Sequence, residues 1–243
     1  MNYSDLIGLL KTRRSIRRFK ADPIPEGHVD KIIEAARWAP SGFNSQPWEF
    51  IVVKDKELRE SIVRIVTEYR RAHIPKMEQT REPQFGKPWL VKPWRPMNWS
   101  IAPVLILLYG DIRTKNGLPM SVRFNREKCE SIFTSSLAAA FLYMQLAATT
   151  LGLASQWVSA VKAPLVSCQI KKLLGIPREL EVYDMMPLGY PAQKARPKLM
   201  KPKEKMIHFD YCLAEDFRTE DEVTDFIRRA TYWTRATIER KAD

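Results

Sequence analysis

The sequence contains few of the residues that usually bind metals or form disulfides. Its 243 residues include only three cysteines and three histidines. Cys129, Cys168 and Cys212 lie far apart, so there is no C-x-x-C pair, and no H-E-x-x-H pattern occurs. These absences argue against a zinc site or a dithiol site, and we predict no bound metal. We expect the cysteines to be packing residues in a cytoplasmic protein, because thiols stay reduced in that compartment.

Negative charge is scarce relative to positive charge. The chain has 40 lysines and arginines against 28 acidic residues, a formal net charge of +12. Such a surplus attracts nucleic acid, a phosphorylated cofactor or an acidic substrate, and charge alone does not distinguish these partners. The densest basic stretch is RRSIRRF, residues 13–19. It fits a nucleic-acid arm, a membrane anchor or a phosphate-binding corner of an enzyme.

Charge is absent altogether from residues 131–161. Much of this segment is long enough to span a membrane. Its serine, threonine and glutamine side chains, and the break at Gly152, instead favour a buried central helix. A helix that is apolar on all sides needs cover on all sides, and a symmetric partner would supply part of it. We therefore predict no membrane insertion and a homodimer.

Hydrophobic periodicity predicts helices and strands in mixed order, which indicates an α+β fold with a central sheet flanked by helices. The predicted helices cover 4–12, 29–36, 56–72, 164–175 and the C-terminal tail. The predicted strands cover 49–53, 102–110, 155–161 and 181–190. We expect a single domain over 1–243, with a C-terminal helical extension at about 216–242 and an aromatic, proline-rich insert at about 73–99. Within this insert, Trp89 and Trp94 are predicted to line a substrate pocket.

Three polar stretches combine charge with hydrogen-bonding groups. The arginine segment, residues 13–19, offers guanidinium forks that suit phosphate. Residues 39–50, APSGFNSQPWEF, offer short polar side chains that suit the edge of a flat heterocycle. Residues 188–198 combine a glycine, at which a ligand can approach the backbone, with lysine and arginine. Two separate basic stretches could thus converge on one anionic group.

The pattern RRSIRRF followed by AARWAPSGFNSQPWEFIVV resembles the nitroreductase family of flavin enzymes, and the resemblance extends over about residues 8–200. It implies a mixed, mainly antiparallel sheet in an intertwined homodimer, with FMN at the subunit interface. The implied ligands of the FMN phosphate and ribityl chain are Arg13, Arg14, Ser15 and Arg17, with Gly189 and Lys198 also near the phosphate. The residues implied to approach the flavin from the other subunit are Pro40, Ser41, Asn44 and Gln46. Those implied beside the hydride-accepting edge are Trp157, Val158, Ser159 and Ala160.

The resemblance also implies a reaction. NADH or NADPH would deliver hydride to FMN, and a small aromatic acceptor, such as a nitroaromatic or a quinone, would receive it in a ping-pong mechanism. The chemistry belongs to the flavin, so we predict no catalytic side chain and only a ring-edge contact at Ser159. Relatives that remove halide from aromatic rings or reduce activated alkenes provide the alternative activities. A nucleic-acid-binding protein and a flavin-storage protein are the non-enzymatic alternatives, and we expect no nucleic-acid partner.

Overall fold

The computed structural model describes residues 2–85, 99–195, 197–211 and 213–239. The chain forms two compact units. The first comprises Met1–Arg70 with Pro96–Ala195, and the second Arg71–Arg95 with Arg196–Asp243. The second unit therefore contains most of the predicted insert and the predicted C-terminal extension. The single domain expected from the sequence stays a prediction.

A four-stranded sheet lies at the centre of the first unit. Its strands are β1 (Trp48–Val53), β2 (Val104–Asp111), β3 (Ala154–Ser155) and β4 (Leu180–Gly189), in the order β1-β2-β4-β3. All neighbouring strands are antiparallel. Alternate residues of β2 face two different apolar clusters, Leu105 and Leu107 on one side and Ile106 and Leu108 on the other. This two-sided burial explains the continuous apolar run of that strand.

Two predictions about the sheet are wrong in detail. Only Ser155 of the predicted strand 155–161 belongs to a strand, β3, and the chain then forms a 3-10 turn at Ser159–Lys162. Pro164 starts the next helix directly after this turn, and proline lacks the N–H that a strand ladder needs. The predicted mixed sheet is antiparallel in all its described strands, because the segment after the first helix contributes only an isolated parallel bridge, Ser15 to Ser155.

Helices α2 and α5 pack on one face of the sheet, and α3 and α6 on the other. In chain order the helices of the described residues are α1 (Tyr3–Thr12), α2 (His28–Arg37), α3 (Lys56–Gln79), α4 (Met120–Arg123), α5 (Arg126–Thr150), α6 (Pro164–Leu174) and α7 (Glu220–Glu239). The first helix begins at Tyr3, one residue before the predicted range 4–12. Asn2 and Asp5 cap it, each accepting the other's backbone N–H at 2.9 Å. Helix α3 continues beyond the predicted residue 72, so the start of the expected irregular insert is helical.

Helix α5 confirms the prediction of a buried central helix. It packs against α2, and nine of its residues are buried: Cys129, Phe133, Ser136, Leu137, Ala140, Phe141, Met144, Gln145 and Ala148. By length and composition alone it could cross a membrane, although 44 % of its most apolar window is buried inside the fold. Leu142 and Tyr143, between buried neighbours, remain partly exposed.

The cysteine prediction is only partly confirmed. Cys129 is buried, as expected for a packing residue. Cys168 is exposed, so the prediction is wrong there, because Val166 and Ile170 form the inward face of α6. Cys212 lies outside the described residues.

The second unit confirms the predicted C-terminal helix. Thr219 and Glu222 form the expected capping box, with the Thr219 N–H donating to Glu222 Oε2 at 2.9 Å and the Glu222 N–H donating to Thr219 Oγ1 at 3.3 Å. Arg228 of this helix donates to the Gln84 carbonyl at 3.2 Å. Trp89 and Trp94, the predicted pocket residues, lie outside the described part of the chain.

Candidate functional site

The arginine segment lies along the edge of the sheet. The Ile16 N–H donates to the Ser155 carbonyl at 3.0 Å, and the Lys20 N–H donates to the Tyr190 carbonyl at 2.9 Å. Ile16 and Phe19 are buried in the apolar core. The segment is therefore anchored by its apolar residues and its backbone. Arg17 and Arg18 lie between the two anchors, and both are exposed.

Arg13 and Arg17 carry charge that no described carboxylate neutralises. Burial, and then the charge of Arg14, lowers the pKa of Arg13. Burial also lowers the pKa of Arg17. In the described part of the chain, no carboxylate lies within ion-pair distance of either guanidinium. Arg17 nevertheless keeps exposed surface, so a ligand can reach this residue.

Arg70 joins this group from helix α3, and sequence reasoning missed it. Burial, and then the charge of Arg17, lowers its pKa. Its Nε is buried with no hydrogen-bond partner among the described residues. Its guanidinium carbon lies 5.5 Å from the centroid of the Trp99 ring, and Trp99 in turn donates to Gln156 Oε1 at 2.8 Å. Arg70 is far from Arg17 in the sequence and is brought near it by folding. No local sequence pattern therefore indicates that Arg70 belongs to the site.

We call Arg17 and Arg70, together with Arg13 on the same segment as Arg17, the arginine cluster. Like charges repel, and burial makes each charge more costly. Proteins normally place a carboxylate beside a desolvated guanidinium, and the described residues provide none here. Guanidinium forks match the oxygens of a phosphate, so this cluster has the chemistry to accept an external anion.

The loop at residues 41–46 is the second polar feature, and its backbone is strained. Phe43, Asn44 and Gln46 all have positive φ angles, of 57°, 50° and 42°. Side chains at such angles are unfavourable, and conformations of this kind concentrate at functional sites. The Gln46 N–H donates to Ser41 Oγ at 3.1 Å, and the Gln46 side chain donates to Asn44 Oδ1 at 3.0 Å. Pro40, Asn44 and Gln46 are exposed.

Helix α5 packs against this loop at Gly42. The Gly42 N–H donates to Ser136 Oγ at 3.2 Å. A Cβ at Gly42 would lie 2.4 Å from Ile132 Cγ2, so only glycine fits against the helix. No hydrogen bond or ion pair within the described chain joins residues 40–46 to the arginine cluster.

The 157–162 segment turns its first two side chains inward and the next residue outward. The Trp157 ring packs on Phe141, with ring centroids 4.3 Å apart. Val158 is buried and exchanges two backbone hydrogen bonds with Met185, at 3.0 and 3.1 Å. Ser159 is exposed and Ala160 half-buried. Because the first N–H groups of a helical turn have no partner within the turn, the backbone here can donate to a ligand.

A buried carboxylate lies behind this segment. Asp184 is 1 % exposed, and burial raises its pKa, with the Trp157 hydrogen bond and Lys162 acting in the opposite direction. Its Oδ2 accepts a hydrogen bond from Trp157 Nε1 and lies 3.3 Å from Lys162 Nζ. Its Oδ1 is buried without a partner among the described residues.

The fold brings together some of the predicted residues and not others. Ser15 meets Ser155 in a bridge, and Phe19 meets Pro191, just beyond Gly189. A Cβ at Gly189 would lie 2.7 Å from Pro103 Cδ, so packing against Pro103 accounts for the glycine, and its place near a phosphate stays a prediction. Lys198 belongs to the second unit. A groove of about 410 Å³ near Asn116 and Arg123 contains none of the predicted site residues.

The sequence matches a known protein family. The model of the nitroreductase family matches residues 10–190. The chain belongs to the nitroreductase family. It is therefore an FMN-dependent oxidoreductase, which confirms the resemblance seen in the sequence.

The chain is similar to iodotyrosine deiodinases and to an NADH dehydrogenase. The chain is 31 % identical to iodotyrosine deiodinase 1 of Rattus norvegicus over 84 % of its own length and 68 % of that protein. It is 25 % identical to an NADH dehydrogenase of Thermus thermophilus, over 80 % and 91 % of the two chains. A crystal structure of oxidized iodotyrosine deiodinase with FMN and 3-iodo-L-tyrosine superposes with a TM-score of 0.63 at 26 % identity, covering 86 % of this chain and all of the other.

Proposed function

We propose that this nitroreductase-family protein takes hydride from NADH or NADPH and passes it through FMN to a small aromatic acceptor. The observation that carries the proposal is the arginine cluster, in which burial and the charge of Arg17 lower the pKa of Arg70, and no carboxylate of the described residues lies within ion-pair distance. FMN is the anion that the family supplies for such a site. A reduced nicotinamide as donor is supported by the NADH dehydrogenase among the similar proteins.

The residues present fit FMN. The guanidinium groups of Arg13, Arg17 and Arg70 suit its anionic part, and Arg14 and Ser15 would complete the phosphate and ribityl contacts. The Nε of Arg70 provides a donor that none of the described residues accepts from. When bound, FMN accepts hydride from the nicotinamide and gives it to the acceptor. Nicotinamide and acceptor would occupy the same space in turn, which predicts ping-pong kinetics.

The protein's own contribution near the ring is electrostatic. Backbone N–H groups at Ser159 and Ala160 would donate to the ring edge that gains negative charge on reduction. Ser159 is exposed at the start of its turn, and the two Val158–Met185 hydrogen bonds hold the preceding residue on the sheet. The donors are thereby fixed before a ligand arrives, and fixed donors need no reorganisation during the reaction.

The proposal includes a homodimer. Helix α1 has no buried residue, and its apolar side chains Tyr3, Leu6 and Leu10 are exposed. Leu142 and Tyr143 on α5 add to this uncovered apolar surface. A second copy would cover it, and would bring Pro40, Ser41, Asn44 and Gln46 to the flavin of its partner, as the family resemblance predicts.

Size-exclusion chromatography with light scattering tests the dimer. We expect the wild-type protein to be a dimer with bound FMN. Leu6→Glu together with Leu10→Glu should give a monomer with weakened FMN binding, because buried carboxylates would face the partner's apolar surface. Lys11→Glu, on an exposed position of the same helix, is the matched control and should stay dimeric. A monomeric wild-type protein that retains FMN contradicts the dimer.

A second candidate activity is reductive removal of halide from an aromatic ring. The similarity to iodotyrosine deiodinases favours it. In that reaction the ring carbon loses halide and gains hydrogen, and the hydride supplied by the nicotinamide through FMN provides both electrons. Which acceptor binds depends on the pocket, and the predicted pocket residues Trp89 and Trp94 stay a prediction.

One set of assays separates these activities from the non-enzymatic alternatives. Protein loaded with FMN is mixed with NADH or NADPH and with a nitroaromatic, a quinone or an iodophenol. We expect steady nicotinamide oxidation with at least one acceptor and parallel-line ping-pong kinetics. Released iodide identifies the second candidate. No turnover with any acceptor would favour flavin storage, and tight, strongly salt-dependent binding to random DNA would favour a nucleic-acid-binding protein.

A further inference from the structure

A single carboxylate fastens both ends of the 157–162 segment to the sheet. Asp184 extends from β4, the strand that pairs with β3 and β2. Its Oδ2 accepts the Trp157 N–H at one end of the segment and lies 3.3 Å from the Lys162 ammonium at the other. Between these ends lies the turn that begins at Ser159. This side chain, together with the two backbone hydrogen bonds between Val158 and Met185, therefore fixes the position of the turn.

The two members of the ion pair differ in their exposure. The Asp184 side chain is 1 % exposed, whereas that of Lys162 is 45 % exposed. The Lys162 ammonium also lies 4.2 Å from the centroid of the Tyr183 ring, which adds a cation–π contact. Lysine is thus the half of the pair that faces outward, and the carboxylate holds it from within the protein.

The negative charge of Asp184 needs an explanation beyond hydrogen bonding. A buried carboxylate is costly even when paired, and one oxygen of Asp184 has no partner in the described structure. An asparagine would accept the Trp157 N–H equally well at lower cost. What only a carboxylate provides is an attraction for the Lys162 ammonium. The charge is therefore best explained by what it does to Lys162.

We propose that Asp184 is a positioning residue that holds Lys162 beside the flavin ring edge, so that the two charges together set the reduction potential of bound FMN. The inference rests on the proposed function, since it places the ring at Ser159. A cation near the ring favours the reduced flavin, which gains negative charge, and a carboxylate disfavours it. Removing one member of the pair should therefore shift the potential in the direction opposite to removing the other.

The test is the midpoint potential of FMN bound to four variants, measured at pH 8 by equilibration with reference dyes. Asp184→Asn should raise the potential, because it leaves the lysine cation uncompensated while keeping the acceptor for Trp157. Lys162→Met should lower it. Lys162→Arg keeps the charge and should stay near the wild type. Lys172→Met, which removes an exposed lysine from α6, controls for net charge and should also leave the potential unchanged.

The outcomes separate this inference from the proposed function. A merely structural role for Asp184 would change thermal stability without shifting the potential in opposite directions. If the wild type binds FMN but both variants keep its potential, or shift it in the same direction, the inference is overturned and the proposed function stands. If the wild type binds no FMN, both are overturned. Should Asp184→Asn fail to fold, the potential of Lys162→Met compared with Lys162→Arg and Lys172→Met decides.

Discussion

The first unit contains two charged regions that treat charge in opposite ways. In the arginine cluster, three guanidinium groups are partly desolvated and have no carboxylate within ion-pair distance among the described residues. At Asp184, by contrast, a buried carboxylate receives an indole N–H and lies beside an ammonium. The described residues supply a countercharge in the second region and none in the first. This difference is why we propose the arginine cluster, and not the Asp184 pair, as the place where an external anion binds.

The largest expected effect concerns ligand binding at the arginine cluster. Replacing Arg17 and Arg70 together with alanine should weaken FMN binding by about 100-fold or more, because a hydrogen bond to a charged group contributes about 1.5–3 kcal/mol. Fluorescence quenching of FMN measures the dissociation constant. The control is Arg18→Ala, which removes an exposed arginine of the same segment. Equal affinities for the double variant and this control would mean that the cluster does not bind FMN.

Removing charge from the paired region should instead damage the fold. Lys162→Met leaves a buried carboxylate without its cation, and we expect the free energy of unfolding to fall by about 1–3 kcal/mol, less than for a fully buried pair because Lys162 is half exposed. Urea denaturation of the FMN-free protein measures it. A loss no larger than that of Lys172→Met would show that the pair adds nothing to stability.

Replacing a basic residue of the arginine cluster with methionine should have the opposite effect on the free energy of unfolding. Arg17→Met removes a partly desolvated charge and its repulsion with Arg70, so the FMN-free protein should become slightly more stable while losing affinity for FMN. The gain is small because solvent screens the exposed part of the Arg17 side chain. Arg17 would then lower the stability of the FMN-free protein and increase its affinity for FMN. A destabilised Arg17→Met protein would indicate that the guanidinium has an internal role.

The pH dependence of the free energy of unfolding should distinguish Asp184, whose pKa is raised by burial, from Asp111, whose pKa is lowered by its hydrogen bonds with Arg113. Because the pKa of Asp184 is raised in the folded state, the folded protein keeps that proton to higher pH than the unfolded chain. Its contribution therefore makes stability fall as the pH rises from about 4 through the raised pKa. Asp184→Asn should remove this slope, as measured by urea denaturation between pH 4 and pH 8.

Asp111 provides the matched control for that experiment. Its hydrogen bonds with Arg113 lower its pKa, so its contribution to stability is present above the ordinary aspartate pKa and is lost as the pH falls through the lowered value. Asp111→Asn should therefore change the slope in the direction opposite to Asp184→Asn. Identical pH profiles for the two variants would contradict the assignment of Asp184 as the group with the raised pKa.

A simple anion should also bind at the arginine cluster. Inorganic phosphate should stabilise the FMN-free wild-type protein by about 1 kcal/mol at concentrations several times its dissociation constant, since a ligand that binds only the folded state stabilises it. Chloride at equal ionic strength is the control. Arg17→Ala with Arg70→Ala should abolish the difference between the two salts. A difference that persists in that variant would place the anion elsewhere.

Local patterns in the sequence predicted much of this fold. The spacing of Val29, Ile32 and Ala36 predicted α2, whose buried face consists of these three residues. Strand β1 and the buried strand β2 were predicted within two residues of their ends. The strand over 155–161 was wrong, because alternation alone does not reveal that a turn before Pro164 interrupts the pairing. The exposed position of Cys168 was also missed, since burial depends on which face of α6 meets the sheet.

The candidate site was predictable where its residues are close in sequence. The arginine segment and the 41–46 loop are each a continuous stretch of sequence, so their composition alone indicated them. Arg70 lies more than fifty positions beyond Arg17 and meets it only because α3 packs beside the sheet edge. Asp184 likewise has no local signal, because a single aspartate in an apolar strand becomes notable only when Trp157 and Lys162 are placed against it. Tertiary proximity, which one sequence does not contain, separates what was found from what was missed.

The most direct test of the central claim compares FMN with riboflavin, which has the same ring and lacks the phosphate. Titrating the purified wild-type protein with each flavin measures what the arginine cluster contributes. The account predicts that FMN binds about 100-fold more tightly than riboflavin, as charge-assisted contacts to a phosphate require. Equal affinity for the two flavins, or no binding of either, would contradict it.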